Sequence, residues 1–203
     1  MTKIKNFRIT LRAREIARWL KRERGLETTP DLELSIDQLV KEGKSLIEPA
    51  AVYSTLTRQI AEKTTKIVFP DKAIAVSVIV VSIGPKLAQK RSDSEIEAGR
   101  EPLLAALEQE VLSQSLSFAA RLIQDQAKEE DCEMSAPVPV LDSAEASSLA
   151  SLVGVQRIGI NLDNSANELP SHVRLASLFW TPAGKKSRSS PACRQAGAEK
   201  AVV

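Results

Sequence analysis

Aromatic residues make up only 3% of this chain, which contains two cysteines and one histidine. Two cysteines are too few for a disulfide framework, in keeping with a protein of the reducing cytoplasm. Cys132 and Cys193 lie far apart with only His172 between them, so the short Cys/His spacing of a zinc site is missing. The Gly-x-x-x-x-Gly-Lys-Ser/Thr and Gly-x-Gly-x-x-Gly phosphate loops are missing too.

Long apolar runs are also lacking. The longest, 73–81, is interrupted by Ser77 and falls far short of the roughly 20 residues of a membrane-spanning helix. No apolar segment follows the basic N-terminus, so we expect no secretory signal and a cytoplasmic location. The 43% hydrophobic content of the 203 residues is enough for one core. We expect a domain over 1–180 and a flexible, basic, serine-rich tail over 181–203.

Basic residues are concentrated at the N-terminus. Residues 1–24 carry nine Lys and Arg against Glu15 and Glu23, a net charge of +7, whereas the whole chain has +2. A solvated helix face is the favoured interpretation. Phosphate contacts to nucleic acid are the alternative, although Phe7 and Trp19 are the only aromatic residues in that segment.

Helical spacing of apolar residues predicts four helices, and proline, glycine and capping residues mark their ends. Asp142-Ser-Ala-Glu145 resembles a capping box, in which Asp142 accepts from the Glu145 amide. The predicted helices span 13–24, 30–48, 101–128 and 143–153.

Alternating or continuously apolar segments predict the strands. The segment 73–83 is apolar on both faces, which favours a central buried strand. The predicted strands span 7–11, 51–57, 66–69, 73–83, 158–162 and 173–179. Because strands follow one another without strict helix alternation, we predict an α+β fold with a twisted mixed or antiparallel sheet flanked by helices.

His172 and the turn at Gly84 are two further candidates for a functional role. His172 precedes a predicted strand in a polar turn, and a surface histidine is the favoured interpretation. The strand ending Ser82-Ile83-Gly84 continues into Pro85-Lys86; a tight turn is favoured, with anion binding by backbone amides as the alternative.

Several local strings resemble one family. They are Arg14-Glu-Ile-Ala-Arg-Trp-Leu20, Leu46-Ile-Glu-Pro-Ala-Ala-Val-Tyr53, Val78-Ile-Val-Val-Ser-Ile-Gly-Pro85 and Ile158-Gly-Ile-Asn-Leu162. Together with the element order over 5–180, they resemble the activation domain of vitamin B12 (cobalamin)-dependent methionine synthase.

The resemblance implies a domain that binds S-adenosylmethionine in a groove beside its sheet. Such a domain presents the methyl donor to the corrinoid of a partner, where cobalt performs the chemistry. Cobalamin is therefore expected only through a partner, either a corrinoid protein or a cobalamin-dependent methyltransferase. We assign no catalytic residue and no metal ligand to this chain. The candidate binding residues are Gly84, Ser135, Pro137, Val138, Glu168 and Arg174.

One departure from the family supports an alternative. The family's Arg-x-x-x-Gly-Tyr motif is replaced here by Ser135-Ala-Pro-Val-Pro-Val140, which contains neither glycine nor tyrosine. Glycine lets backbone approach a ligand closely. The alternative is therefore an interaction module that kept the fold and lost the ligand site. Arg174 itself is interpreted as an exposed strand residue or as a partner for a carboxylate or phosphate.

Overall fold

The computed structural model describes residues 1–93, 99–140, 142–161 and 169–184. The predicted polar turn around 164–167 lies outside the described residues, as do Glu168 and residues 185–203 of the predicted tail. The first two residues of that predicted tail, Thr181 and Pro182, instead belong to the last strand. The strands are β1 Thr2–Lys5, β2 Ala50–Thr57, β3 Ala75–Ser82, β4 Cys132–Met134, β5 Val138–Pro139 and β6 Val173–Pro182. The helices are α1 Ala13–Arg24, α2 Pro30–Gly43, α3 Arg58–Thr64, α4 Lys86–Ser92, α5 Arg100–Glu129 and α6 Ser143–Leu152, with a 3-10 helix at Val155–Ile158.

The strands form one sheet in the order β1-β2-β3-β6, and β4 and β5 both pair with the outer side of β6. Every pairing between the described strands is antiparallel. The predicted α+β fold is confirmed, and the sheet is antiparallel rather than mixed. β3 lies between β2 and β6, so its continuous apolar run reflects burial on both faces.

Each face of the sheet is covered by helices. Ile79 and Val81 of β3 face the core built with α1, α2, α4 and α5, called the α5 face below. Val78 and Val80 point the opposite way and pack with α6 and the 3-10 helix, because successive strand side chains alternate between faces. None of the described helices is both long and apolar enough to span a bilayer.

The helices predicted from periodicity are confirmed at α1, α2, α5 and α6. Thr29 caps α2 by accepting from the Leu32 amide at 3.2 Å, and Asp142 caps α6 by accepting from the Glu145 amide at 2.7 Å. α2 ends earlier than predicted, at Gly43. A Cβ on Gly43 would lie 2.6 Å from Leu107 Cδ2, so this glycine lets α2 pack closely on α5.

Three predicted strands are wrong. Residues 7–11 form no strand, and Phe7 instead packs its ring 4.4 Å from that of Phe118. Residues 66–69 are also irregular, and Phe69 is buried edge-on against Phe179. Ile158 ends the 3-10 helix, and Leu162 lies outside the described residues. In the described part of each segment, alternate apolar side chains are buried or partly buried, which produces the pattern of a strand. The backbone there is not paired with a strand of the sheet.

Candidate functional site

The Gly84 turn connects β3 to α4. Gly84 has φ 78°, and its amide donates to Ser82 Oγ at 3.2 Å. A Cβ there would lie 3.1 Å from Glu48 Cβ, so both conformation and space favour glycine. Lys86 Nζ lies 2.6 Å from Glu48 Oε1. The Gly84 amide and the Lys86 ammonium are thus engaged within the protein.

The segment Ser135–Val140, which contains three of the candidate binding residues, lies along the sheet edge. Ser135 donates its amide to the Phe179 carbonyl at 2.9 Å and accepts the Phe179 amide on Oγ at 3.0 Å. Val138 faces Ser177 across the β5–β6 pair. Between Met134 and Val138 this edge advances four positions while β6 advances three. The one extra residue on this edge forms a β-bulge. Pro137 lies within the bulge and is exposed.

Arg174 lies at the start of β6, where its side chain reaches α5. It donates to Ser113 Oγ at 3.2 Å and to Gln109 Oε1. Burial lowers the pKa of Arg174 below its ordinary value, and the negative charge of Glu108 acts in the opposite direction. The predicted exposed strand residue is therefore wrong: Arg174 is partly buried and held by two neutral acceptors.

A cleft of about 290 Å³ opens beside Arg174, between α1, α5 and β6. We call it the arginine cleft. Trp19, Gln109 and Ser113 contribute to its wall, and its charged lining residues are Arg12, Glu15, Arg18, Arg22, Glu110 and Arg174. Gly84, Ser135, Pro137 and Val138 are not among its lining residues. The structure therefore brings one of the candidate residues to a cleft and places the other described ones elsewhere.

Both carboxylates of the arginine cleft are neutralised by arginines of α1 or its N-terminal boundary. Glu110 accepts from Arg12 Nε at 2.9 Å and from Gln114 Nε2 at 3.0 Å. Its hydrogen bond with Arg12 raises the pKa of that guanidinium. Glu15 accepts from Arg18 with its two oxygens, at 2.9 and 2.8 Å. The solvated-face interpretation of α1 is therefore incomplete, because part of α1 forms a cleft wall.

A second charged group lies behind Arg174 and was missed by sequence reasoning. The Glu108 side chain is only 1% exposed, and its Oε2 accepts from Arg91 at 2.6 Å. Its Oε1 has no hydrogen-bond partner among the described residues. His172 is half-buried rather than fully exposed at the surface. This burial lowers its pKa below the ordinary value, and Glu108 acts in the opposite direction. No cluster of three metal-ligating side chains occurs in the described part of the chain.

A recognisable signal existed for Glu108. Leu104 and Leu112 flank it on α5 at four-residue spacing, and both are buried. Such a row, interrupted by one acid, predicts a buried carboxylate with a cationic partner. Arg174 similarly precedes Ala176 and Leu178, which are buried on the same face of β6.

Comparison with known proteins supports the fold. No family model and no curated protein matches the sequence. Among solved structures, a crystal structure of the MetH reactivation domain bound to AdoHcy matches with a TM-score of 0.56 and 11% sequence identity. The match covers 91% of this chain and 79% of that chain. This chain therefore has an α+β fold like that of the MetH reactivation domain.

Proposed function

We propose that the protein is an activation-domain-like accessory of a corrinoid-dependent methyltransferase and that it binds an S-adenosyl ligand. The observation that carries this proposal is the likeness in fold, over 91% of the chain, to a reactivation domain bound to AdoHcy. In this proposal the corrinoid belongs to the partner and supplies the methyl-transfer chemistry. The present chain contributes ligand binding and orientation.

The residues of the arginine cleft are compatible with one end of such a ligand. S-adenosylmethionine and S-adenosylhomocysteine both carry an α-carboxylate, and the planar fork of an arginine binds carboxylates through paired hydrogen bonds. Arg174 lies at the cleft, and its hydrogen-bond partners among the described residues are the neutral side chains of Ser113 and Gln109.

Calorimetric titration of the full chain with S-adenosylhomocysteine, and separately with S-adenosylmethionine, tests the ligand part. We expect saturable heat at micromolar ligand. The absence of binding heat at millimolar concentrations of both compounds would contradict ligand binding. The partner part is tested by sedimentation of the chain with purified corrinoid proteins from the same genome. A common boundary is expected with at least one of them, and independent sedimentation with all of them would count against an accessory role.

The second candidate function is an interaction module without a ligand. It is favoured by the edge formed by Ser135–Val140, where the Ser135 amide and hydroxyl are already bound to β6. Proline at 137 and 139 also removes two amide donors there. This candidate predicts silent calorimetry together with complex formation, which the same two experiments distinguish from the first.

A further inference from the structure

We propose that the arginine cleft is a carboxylate-binding subsite in which Arg174 is the anchoring cation. The existence of the subsite follows from the charges and hydrogen bonds of the cleft. Its assignment to the α-carboxylate of an S-adenosyl ligand rests on the proposed function. The Gly84 turn and the Ser135–Val140 edge are not needed for it.

Among the described residues, the charges that line the cleft leave one cation, Arg174, without an ion-pair partner. Arg12 is paired with Glu110 and Arg18 with Glu15. Arg22 is paired with Glu23, beside the cleft, at 2.7 Å. Among the described residues no carboxylate forms an ion pair with Arg174, whose two partners are an amide and a hydroxyl. The lining thus has room for one further negative charge.

The hydrogen-bonding capacity of Arg174 leads to the same conclusion. A guanidinium has five N–H donors in a planar fork. One donor of each terminal nitrogen is used, for Ser113 and Gln109. These two α5 side chains restrain the guanidinium, so a ligand would meet a cation whose orientation is already fixed. A restrained fork loses less conformational entropy when it binds than a free surface arginine does.

Burial supplies the driving force for taking up an anion. Arg174 is partly buried and its ordinary basicity is reduced by that burial, so its charge is incompletely solvated. Charge-assisted hydrogen bonds are stronger where water is partly excluded. An anion that reaches the donors of Arg174 not used by Ser113 and Gln109 therefore restores interactions that burial removed.

The size and charge of the cleft indicate the class of anion. The one lining arginine without an ion pair among the described residues, Arg174, matches the single charge of a carboxylate better than the two charges of a phosphate dianion, and a volume of about 290 Å³ leaves room for the group that carries the carboxylate. Trp19 lines the same cleft and offers an apolar wall for the carbon chain that carries the carboxylate. The favoured ligand is an amino-acid-like small molecule.

The first experiment compares two nucleosides by calorimetry. S-adenosylhomocysteine carries the carboxylate, whereas 5′-methylthioadenosine has the same nucleoside without it. Arg174→Gln should weaken S-adenosylhomocysteine binding by about tenfold to a hundredfold and leave 5′-methylthioadenosine unchanged. Arg174→Lys should recover part of the affinity, because it restores the charge without the fork. Arg14→Gln is the matched control: Arg14 is exposed on α1 and does not line the cleft.

The outcomes separate the subsite from the proposed function. If S-adenosylhomocysteine binds and Arg174→Gln has no more effect than Arg14→Gln, the subsite is wrong and the function stands. If neither nucleoside binds the wild type, the function is wrong, and the subsite is then judged with acetate and inorganic phosphate. In that case the arginine Nε–H resonance of Arg174, assigned with Arg174→Gln, should shift saturably with acetate and less with phosphate. An unmoved resonance, or a preference for phosphate, overturns the carboxylate subsite.

Discussion

Glu108 and Glu110 lie two positions apart on α5, and both side chains are almost fully buried, at 1% and 6% exposure. Glu108 lies beneath α4, paired with Arg91, and one of its oxygens has no partner among the described residues. Glu110 borders the open arginine cleft, where Arg12 is half exposed and Gln114 provides a second donor. The accessibility of the cation, rather than that of the carboxylate, distinguishes the two pairs.

This difference shows that similar burial can lead to different roles. When Arg91 is removed, little solvent can reach Glu108, so the carboxylate would stay buried without its ion-pair partner. When Arg12 is removed, water in the cleft can hydrate Glu110. The first pair therefore stabilises the contact between α4 and α5, whereas the second mainly shapes the cleft.

The largest effect is expected for Arg91→Ala. It leaves Glu108 without its cation and should lower the free energy of unfolding by about 3 kcal/mol. Urea unfolding monitored by circular dichroism measures this change. Lys90→Ala is a matched control on the same helix, because the ion pair of Lys90 with Glu42 is long, at 3.7 Å, and both side chains are at least one-third exposed. A loss below about 1 kcal/mol for Arg91→Ala would mean that Glu108 is less isolated from solvent than its exposure indicates.

A smaller effect is expected for Arg12→Ala. Its guanidinium is half exposed, so the loss should be about 1 kcal/mol or less. About 0.5 M NaCl should remove most of that difference, since salt screens exposed charges, and should leave the Arg91→Ala difference nearly intact. Equal salt sensitivity of the two variants in urea unfolding would contradict the distinction drawn between the two glutamates.

The smallest effect concerns pH and the half-buried His172. Because burial lowers the pKa of His172 below its ordinary value of 6.5, the unfolded chain takes up a proton at higher pH than the folded chain. Stability is then complete above the ordinary pKa and is lost as pH falls through the lower folded value. Among the described charged groups, Glu108 acts on His172 and opposes the effect of burial on its pKa.

His172→Gln removes this proton uptake. We expect the loss of unfolding free energy between about pH 7 and pH 5 to be shallower in His172→Gln than in the wild type. Urea titrations at both pH values measure it. Parallel pH dependence in the two proteins would show that the histidine titrates alike in the folded and unfolded chain.

The structure confirms most of the predicted helices and the central strand, but it does not bring the predicted site residues together at one place. The helix over 101–128 is found at Arg100–Glu129, and the both-sided apolar run is the central strand β3. The candidate site residues lie in different parts of the fold. Gly84 lies in a strand-to-helix turn, Ser135 on the sheet edge, and Arg174 at a cleft. Whether any of them binds a ligand remains a prediction for the titrations above.

Local periodicity by itself determined where α1, α2, α5, α6 and β3 form, because each buries a face whose residues recur within a few positions. It failed at residues 7–11, where burial of Phe7 mimics a strand that has no hydrogen-bonded neighbour. Only the tertiary structure decided the charged sites. Arg12 meets Glu110 across 98 positions, and Arg174 meets Gln109 across 65. Contacts between such distant residues depend on how the helices dock on the sheet, which local spacing does not encode.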